Sequence, residues 1–287
     1  TSAPPCTALP HSQPVQSTHG LMRFLGHRGA SHTQPENTLH AFRSALAHGL
    51  GFECDLQLLS DGALVVLHDE TLERTAVGSA QCDAILCRPV STLTLHEVHQ
   101  ARVGDRTHSE SVPLFAQVLQ ELLVAADSLD SAHCFAELKS KEAHHGSTFD
   151  ARLCDVAASV VQSAGVLAHH LTWISFSLGA CVAMKEKMTG HPVLLVADVS
   201  TAGEAWDIAS IAADAGLDGI DLNANEAIVT SQLVTWLHER NMTIAVWVCR
   251  APAHNDVPAI WKAMEEAGVD AFTSNLPPEL EAWRRER

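Results

Sequence analysis

Eight apolar, strand-like runs separated by helical segments predict a TIM-type (β/α)8 barrel, one closed parallel sheet ringed by helices. Three observations carry the prediction. The runs begin near residues 25, 52, 134, 171, 192, 219, 243 and 270, with helical periodicity between most of them. The first run ends in polar residues and passes through a loop to a helix, as barrel strands do where their loops build a site. The 287-residue length suits one barrel domain and can bury a full core without disulfide or metal staples.

Residues 1–20, TSAPPCTALPHSQPVQSTHG, are rich in Pro, Ser, Thr and Gln and lack periodicity, so they read as a flexible arm ahead of a barrel domain spanning 21–287. They lack the charged-then-apolar pattern of a signal peptide; the chain begins without methionine, which leaves a removed signal, and secretion, open. Phe24-Leu25-Gly26-His27-Arg28-Gly29 is a short strand ending in a histidine and an arginine, then a glycine where the backbone turns sharply. Gln34 to Thr38 leads into a helix, Leu39 to His48, stopped by Gly49.

FECDLQLL and ALVVLHD then read as two strands joined at Asp61-Gly62, a strong hairpin signal. If those two residues form the turn, Asp55 pairs with His68 and Glu53 lies one side-chain repeat along the same face. Leu56 and Leu58 fall on the opposite face, so the acids are not merely the wet side of an amphipathic strand. A small insertion after this hairpin, at about residues 70–113, is irregular, with one helical turn near Leu95 to Ala101. It is expected on the face that carries the site.

Regular alternation follows. Helices are expected at Leu114–Ala126, Phe149–Ala164, Leu178–Met188, Glu204–Ala215, Ser231–Arg240 and Val257–Ala267, and strands at Cys134–Lys139, Leu171–Phe176, Pro192–Ala197, Gly219–Leu222, Thr243–Cys249 and Asp270–Thr273.

A formal charge of −16 argues against nucleic acid and acidic membrane surfaces as partners. An anionic substrate would need cations supplied locally. No apolar run reaches the length that crosses a bilayer, so stable membrane insertion is not expected. The eight cysteines form no zinc spacing and mostly read as small buried hydrophobes, mildly favouring a reducing, cytoplasmic setting; Cys82 and Cys87 are close enough for a small-loop disulfide. Oligomeric state does not follow from the sequence.

Glu53 and Asp55, two apart on a strand, project to one side, as a hard divalent cation requires. Glu137 and Lys139 alternate in an apolar strand and point together into the mouth, although a structural ion pair would use the same residues. Among 18 histidines, His27 and His68 stand out because each ends a strand beside an acid or arginine.

In order, His27-Arg28-Gly29, Pro35-Glu36-Asn37-Thr38, Glu53-x-Asp55, Asp61-Gly62, Val65-Val66-x-His68-Asp69 and Leu72-x-Arg74-Thr75 resemble the glycerophosphodiester phosphodiesterase family. The match runs from Leu25 to Thr75, with weaker matches beyond. The resemblance implies a divalent metal, Mg2+ or Ca2+, on Glu53, Asp55 and Glu137. It implies phosphate oxygens held by Arg28 and Lys139, a catalytic pair in His27 and His68, and a substrate lined by Glu36 and Trp247.

It further implies hydrolysis of a small-molecule glycerophosphodiester to glycerol 3-phosphate and an alcohol. The chain departs from the family pattern at Trp247-Val248-Cys249-Arg250, at Ser274-Asn275 and at Ser177, which bears on substrate choice. A lysophospholipase D-type enzyme and a non-catalytic phosphodiester binder use the same scaffold. A retaining glycosidase would also use two carboxylates, but clustered histidines and arginine fit phosphate better than sugar.

Overall fold

The structure, a computed structural model, describes residues 22–77, 83–140, 142–248 and 255–286. The barrel consists of β1 (Arg23–Gly26), β2 (Gly51–Leu58), β6 (Cys134–Leu138), β7 (Leu171–Ser175), β8 (Val193–Ala197), β9 (Gly219–Asn223), β10 (Thr243–Trp247) and β11 (Ala271–Ser274). Every neighbouring pair is parallel, and β1 pairs with both β2 and β11, which closes the ring. The expected strand starts lie within two residues of these.

Outside the ring, β3 (Leu64–Val66) returns antiparallel on β2, and β4 (Val103–Gly104) pairs with β5 (Ser109–Glu110) in the insertion. The helices are α1 (Leu39–Ala47), α2 (Asp83–Leu86), α3 (Leu95–Val98), α4 (Phe115–Ala126), α5 (Glu142–Ala164), α6 (Leu178–Lys187), α7 (Ala202–Asp214), α8 (Ser231–His238), α9 (Pro258–Ala267) and α10 (Pro277–Arg285).

The two-residue side-chain period of the strands divides the apolar residues between three cores. Leu25, Phe135, Ile174, Leu194 and Ala245 fill the barrel interior. Cys54, Leu56, Trp173 and Phe272 face outward against the helices. The insertion has its own core, in which Leu72, Val90 and Leu93 pack on Leu59, Val65 and Leu67 of the hairpin.

Two expectations change. The hairpin pairs Leu56 with Val66 and Leu58 with Leu64, one residue out of the expected register. Leu59 and Ala63 close it by a hydrogen bond of 2.9 Å around a three-residue loop in which Gly62 takes φ 88°. Glycine suits either loop length, so the local signal does not choose between them. Asp55 therefore faces Leu67, whose N–H donates to its carbonyl at 2.9 Å. His68 still reaches the site, because β3 ends at Val66 and Gln57 holds the departing chain. Its Nε2 donates to the carbonyls of Leu67, His68 and Asp69 at 3.1, 3.2 and 2.5 Å.

The second change is α10, which had no counterpart in the expectation. It opens on Pro277-Pro278 and buries only Pro277 and Leu280, so its apolar periodicity is faint. The arm at 1–20, Cys82 of the suggested disulfide, and Cys249 and Arg250 lie outside the described residues.

At the amino-terminal end of the barrel, buried His133 has Nδ1 2.8 Å from the His169 carbonyl and Nε2 2.9 Å from Thr172 Oγ1. Burial, then nearby Arg23, pushes its pKa down to about 3. An unfolded chain takes up this proton near pH 6.5 and the folded one does not, so stability falls as pH drops below 6.5. Between pH 7 and 5 this residue should cost about 2 kcal/mol, and His133→Gln should flatten that part of a chemical-denaturation pH profile. An unaltered slope in the variant would refute the assignment.

Candidate active site

The carboxyl ends of the barrel strands surround a cavity of about 180 Å3. One wall carries His27, Arg28, Glu53, His68, Glu137 and Lys139; Ile174, Phe176, Val196, Asp221, Trp247 and Thr273 form the rest.

Arg28 is built into a turn that few residues tolerate. Its φ is 55°, and the following Gly29 has φ 81°, where an added Cβ would meet the Ala41 backbone at 2.6 Å. This conformation aims the Arg28 N–H at Glu53 Oε2, 2.8 Å away. The guanidinium lies with Nη1 2.9 Å from Glu36 Oε1 and Nε 3.5 Å from Asp55 Oδ2. Asn37, also left-handed at φ 56°, donates from Nδ2 to Asp55 Oδ2 at 2.6 Å and from its backbone N–H to the Arg28 carbonyl at 3.0 Å. A left-handed non-glycine residue stores backbone strain, and two of them meet here.

Glu53, Asp55 and Glu137 are buried, with one carboxylate oxygen each lying within 4.8 Å of the others. Lys139 Nζ sits 2.9 Å from Asp55 Oδ1 and 2.7 Å from Glu137 Oε1. Burial lifts the Glu137 carboxyl to about 7, with Lys139 opposing. Burial, Asp55 and Glu137 hold Glu53 well above the carboxylate range. Burial would raise Asp55 as well, but Lys139 and Arg28 keep it below that range. Among the described residues, Glu53 Oε1 is buried without a hydrogen-bond partner. Three clustered carboxylates, one with an orphaned oxygen, fit a hard cation.

The two histidines are oriented differently. His27 Nδ1 lies 2.9 Å from Asn275 Oδ1, and Nε2 faces Glu53 Oε2 at 3.9 Å. Asp256 fixes Asn275 by accepting its N–H at 2.7 Å and the Ser274 hydroxyl at 2.8 Å. Burial, then Arg28, pushes the His27 pKa down to about 3, so the imidazole is neutral at pH 7. With Nδ1–H donating to the amide oxygen, Nε2 carries the free lone pair.

His68 Nδ1 donates to Asp69 Oδ1 at 2.7 Å. Burial raises Asp69, but hydrogen bonds from Arg74 and His68 bring it down to about 2, so it is ionised. Arg74 joins it to Glu36: Nε lies 2.5 Å from Asp69 Oδ2 and Nη1 2.7 Å from Glu36 Oε2. Arg28, Glu36, Arg74, Asp69 and His68 thus form one chain of charge-assisted bonds.

The cavity wall includes all the site residues read from the sequence except Asp55, which lies just behind it against Arg28 and Lys139, and Glu36. Glu36, expected to line the substrate, is buried between Arg28 and Arg74 and borders a separate polar cleft with Ser31 and Thr75. Sequence reasoning gave no role to Asn37, Gln57, Asp69, Arg74, Asp221, Asp256 or Asn275. Asn37, Asp69 and Arg74 were in the matched motifs, where local letters do not reveal which side chains support others.

A closed parallel barrel with a buried cluster of acids, cations and histidines at its carboxyl mouth has the construction of a barrel enzyme. A family model described as the glycerophosphoryl diester phosphodiesterase family matches residues 27–279, and the chain belongs to that family. It is 37% identical over 101 residues to the glycerophosphodiester phosphodiesterase of Caldanaerobacter subterraneus, covering 33% of this chain and 38% of that protein. Against the rat glycerophosphodiester phosphodiesterase 1 it is 36% identical over 100 residues, 34% of this chain and 30% of that one. The aligned stretches thus span about a third of these relatives. In fold it matches an Oleispira antarctica phosphodiesterase, solved in complex with the product sn-glycerol-3-phosphate, with TM-score 0.71 and 19% identity over 92% of this chain and 97% of that one.

Proposed function

We propose that the protein hydrolyses glycerophosphodiesters to glycerol 3-phosphate and an alcohol, with a divalent ion on Glu53, Asp55 and Glu137. The observation that carries this reading is the meeting, in one cavity, of that acid cluster, the Arg28–Lys139 cation pair and two oppositely oriented histidines.

Arg28 and Lys139 bind the phosphate oxygens and stabilise the charge that grows on them. His27 Nε2 takes the proton of the glycerol 2-hydroxyl as its oxygen attacks phosphorus. The bond from phosphorus to the head-group oxygen breaks, and His68, its imidazolium supported by Asp69, donates a proton to the departing alcohol. Water then opens the cyclic phosphate with the proton transfers reversed. A bound Mg2+ or Ca2+ would supply charge neutralisation and a more acidic hydroxyl. Among the described residues no helix is long and apolar enough to cross a membrane.

A lysolipid substrate is the second reading, favoured by Phe176 and Leu178 at the mouth, which are 51% and 38% exposed. The phosphomonoester product should be followed, glycerol 3-phosphate from glycerophosphocholine and glycerophosphoethanolamine and lysophosphatidic acid from lysophosphatidylcholine, each with Mg2+, with Ca2+ and with chelator. Metal-dependent turnover of the soluble diesters is expected. Turnover of lysolipid alone would transfer the assignment to lipid, and no turnover at all by folded protein would overturn it.

A further inference from the structure

The groups that act on phosphorus leave the departing head group without a partner. His68 hands its proton to the departing oxygen, so the head group lies on the His68 side of the phosphate. Behind His68, Asp69 Oδ1 accepts from its Nδ1 at 2.7 Å and from Arg74 Nη2 at 2.9 Å. Arg74 also reaches Glu36, whose Oε1 lies 2.5 Å from Arg74 Nη2 and 2.9 Å from Arg28 Nη1. Arg28 borders the cavity and Arg74 borders the second cleft, so one carboxylate oxygen bridges the two spaces. That cleft, of about 240 Å3, runs between the β1–α1 loop at 31–36 and the insertion side at Thr75, Gly104 and Asp105. A head group that passes His68 and crosses Arg74 enters it.

The lining sets the chemistry of what fits. Arg74 has five N–H groups, of which Asp69 and Glu36 take four, leaving one on Nη1 among the described residues. Thr75 Oγ1 is buried and, among the described residues, has no hydrogen-bond partner. Gln34 adds an amide that donates and accepts, and Asp105 adds a carboxylate at the exposed rim. Such a mixture complements a group with several hydroxyls, each of which donates and accepts. A cationic head group is a poor match. Arg74 stands in the cleft as a like charge, and Glu36 is already paired with two arginines. Among the described residues, no Phe or Trp lines the cleft to hold a quaternary ammonium. An alkyl head group would displace water from Thr75 and Arg74 and leave both unpaired.

We propose that the cleft between the β1–α1 loop and the insertion is the head-group subsite, in which Gln34, Arg74 and Thr75 select a neutral, polyhydroxylated head group over a cationic or an alkyl one. This deepens the hydrolase reading and rests on it. A site built to hydrogen-bond hydroxyls rejects the analogue that lacks them, because its own polar groups then go unsatisfied.

The test compares three diesters of glycerol phosphate, with erythritol, 1-butanol and choline as head groups. Wild type should favour the erythritol ester over each of the others by about 10-fold or more in kcat/KM. In Thr75→Val, and independently in Gln34→Leu, the erythritol rate should fall about fivefold or more, while the other two stay within about twofold of wild type. The substitutions leave the acidity of the departing alcohols unaltered, so the change in ratio reads recognition alone.

Equal efficiency of wild type on the erythritol and 1-butanol esters, or an unchanged ratio in both variants, would overturn the subsite and leave the hydrolase reading standing. An equal fall on all three esters would overturn it too, since Gln34 and Thr75 would then be holding the fold. If folded protein hydrolyses none of the esters, the hydrolase reading falls, and calorimetric binding of the intact erythritol and 1-butanol esters decides the subsite. Tighter binding of the erythritol ester, lost in Thr75→Val, would support it, and equal binding would overturn it.

Discussion

His27→Ala should lower kcat on a glycerophosphodiester by about 10^3-fold with little change in KM, and His68→Ala should do the same. The residues fail differently once the leaving group is changed. His68, whose Nδ1 is tied to the ionised Asp69, is placed to hand a proton to a departing alkoxide. A p-nitrophenyl ester of glycerol phosphate leaves as a stable phenolate and needs no such proton. His68→Ala should therefore recover to within about tenfold of wild type on that ester, while His27→Ala should not. His27 has its free Nε2 facing the acid cluster and is held neutral by burial, which is the state of a base. Rates on the two esters would be measured by phosphate-product release, with thermal unfolding as the folding control. Recovery of His27→Ala on the activated ester, with none for His68→Ala, would exchange the two roles. A loss below tenfold in both variants would remove histidines from the chemistry.

The same two residues illustrate what local letters reveal. The strand starts were legible because a barrel strand buried on both faces is a continuous apolar run bounded by turn residues, and such runs at Cys134, Leu171 and Gly219 begin where expected. Glu53, Asp55, Glu137 and Lys139 were legible because alternation on a strand fixes their common face without knowledge of the fold. What aims His27 was not. Asn275 and Asp256 approach it from 248 and 229 positions away in sequence, and neither has a local pattern that marks it. Nor could the hairpin register be read, since Gly62 serves a two-residue or a three-residue loop equally. The local letters did not show that Glu36 is paired with two arginines, since Arg74 belongs to the insertion side of the hairpin. Supporting contacts of this kind are tertiary facts.

The largest effect on binding should come from the acid cluster, and it reverses sign with the ion present. In the ion-free protein, burial and mutual repulsion keep the Glu53 and Glu137 carboxyls protonated to higher pH than in an unfolded chain. The folded state then binds more protons than the unfolded state between pH 4.5 and about 7, so stability falls as pH rises through that window. For Glu137 the loss amounts to about 3 kcal/mol by pH 8. A divalent ion replaces those protons: its binding should release protons at pH 7, and saturating ion should flatten the slope.

Glu53→Gln separates this from a structural role. The glutamine keeps an oxygen for the Arg28 N–H that Glu53 Oε2 now accepts, while the carboxyl that must lose its proton to hold an ion is removed. The variant should melt higher than wild type in chelator, yet gain nothing from Mg2+ or Ca2+, with ion affinity reduced about 100-fold or more. Calorimetric titration in two buffers of different ionisation enthalpy, beside melting curves from pH 5 to 8, reads all three quantities. A Glu53→Gln protein less stable than wild type in chelator would mean that these carboxylates hold the barrel mouth together. They would then be partners of Lys139 and Arg28 first, and the cluster would have no claim to an ion.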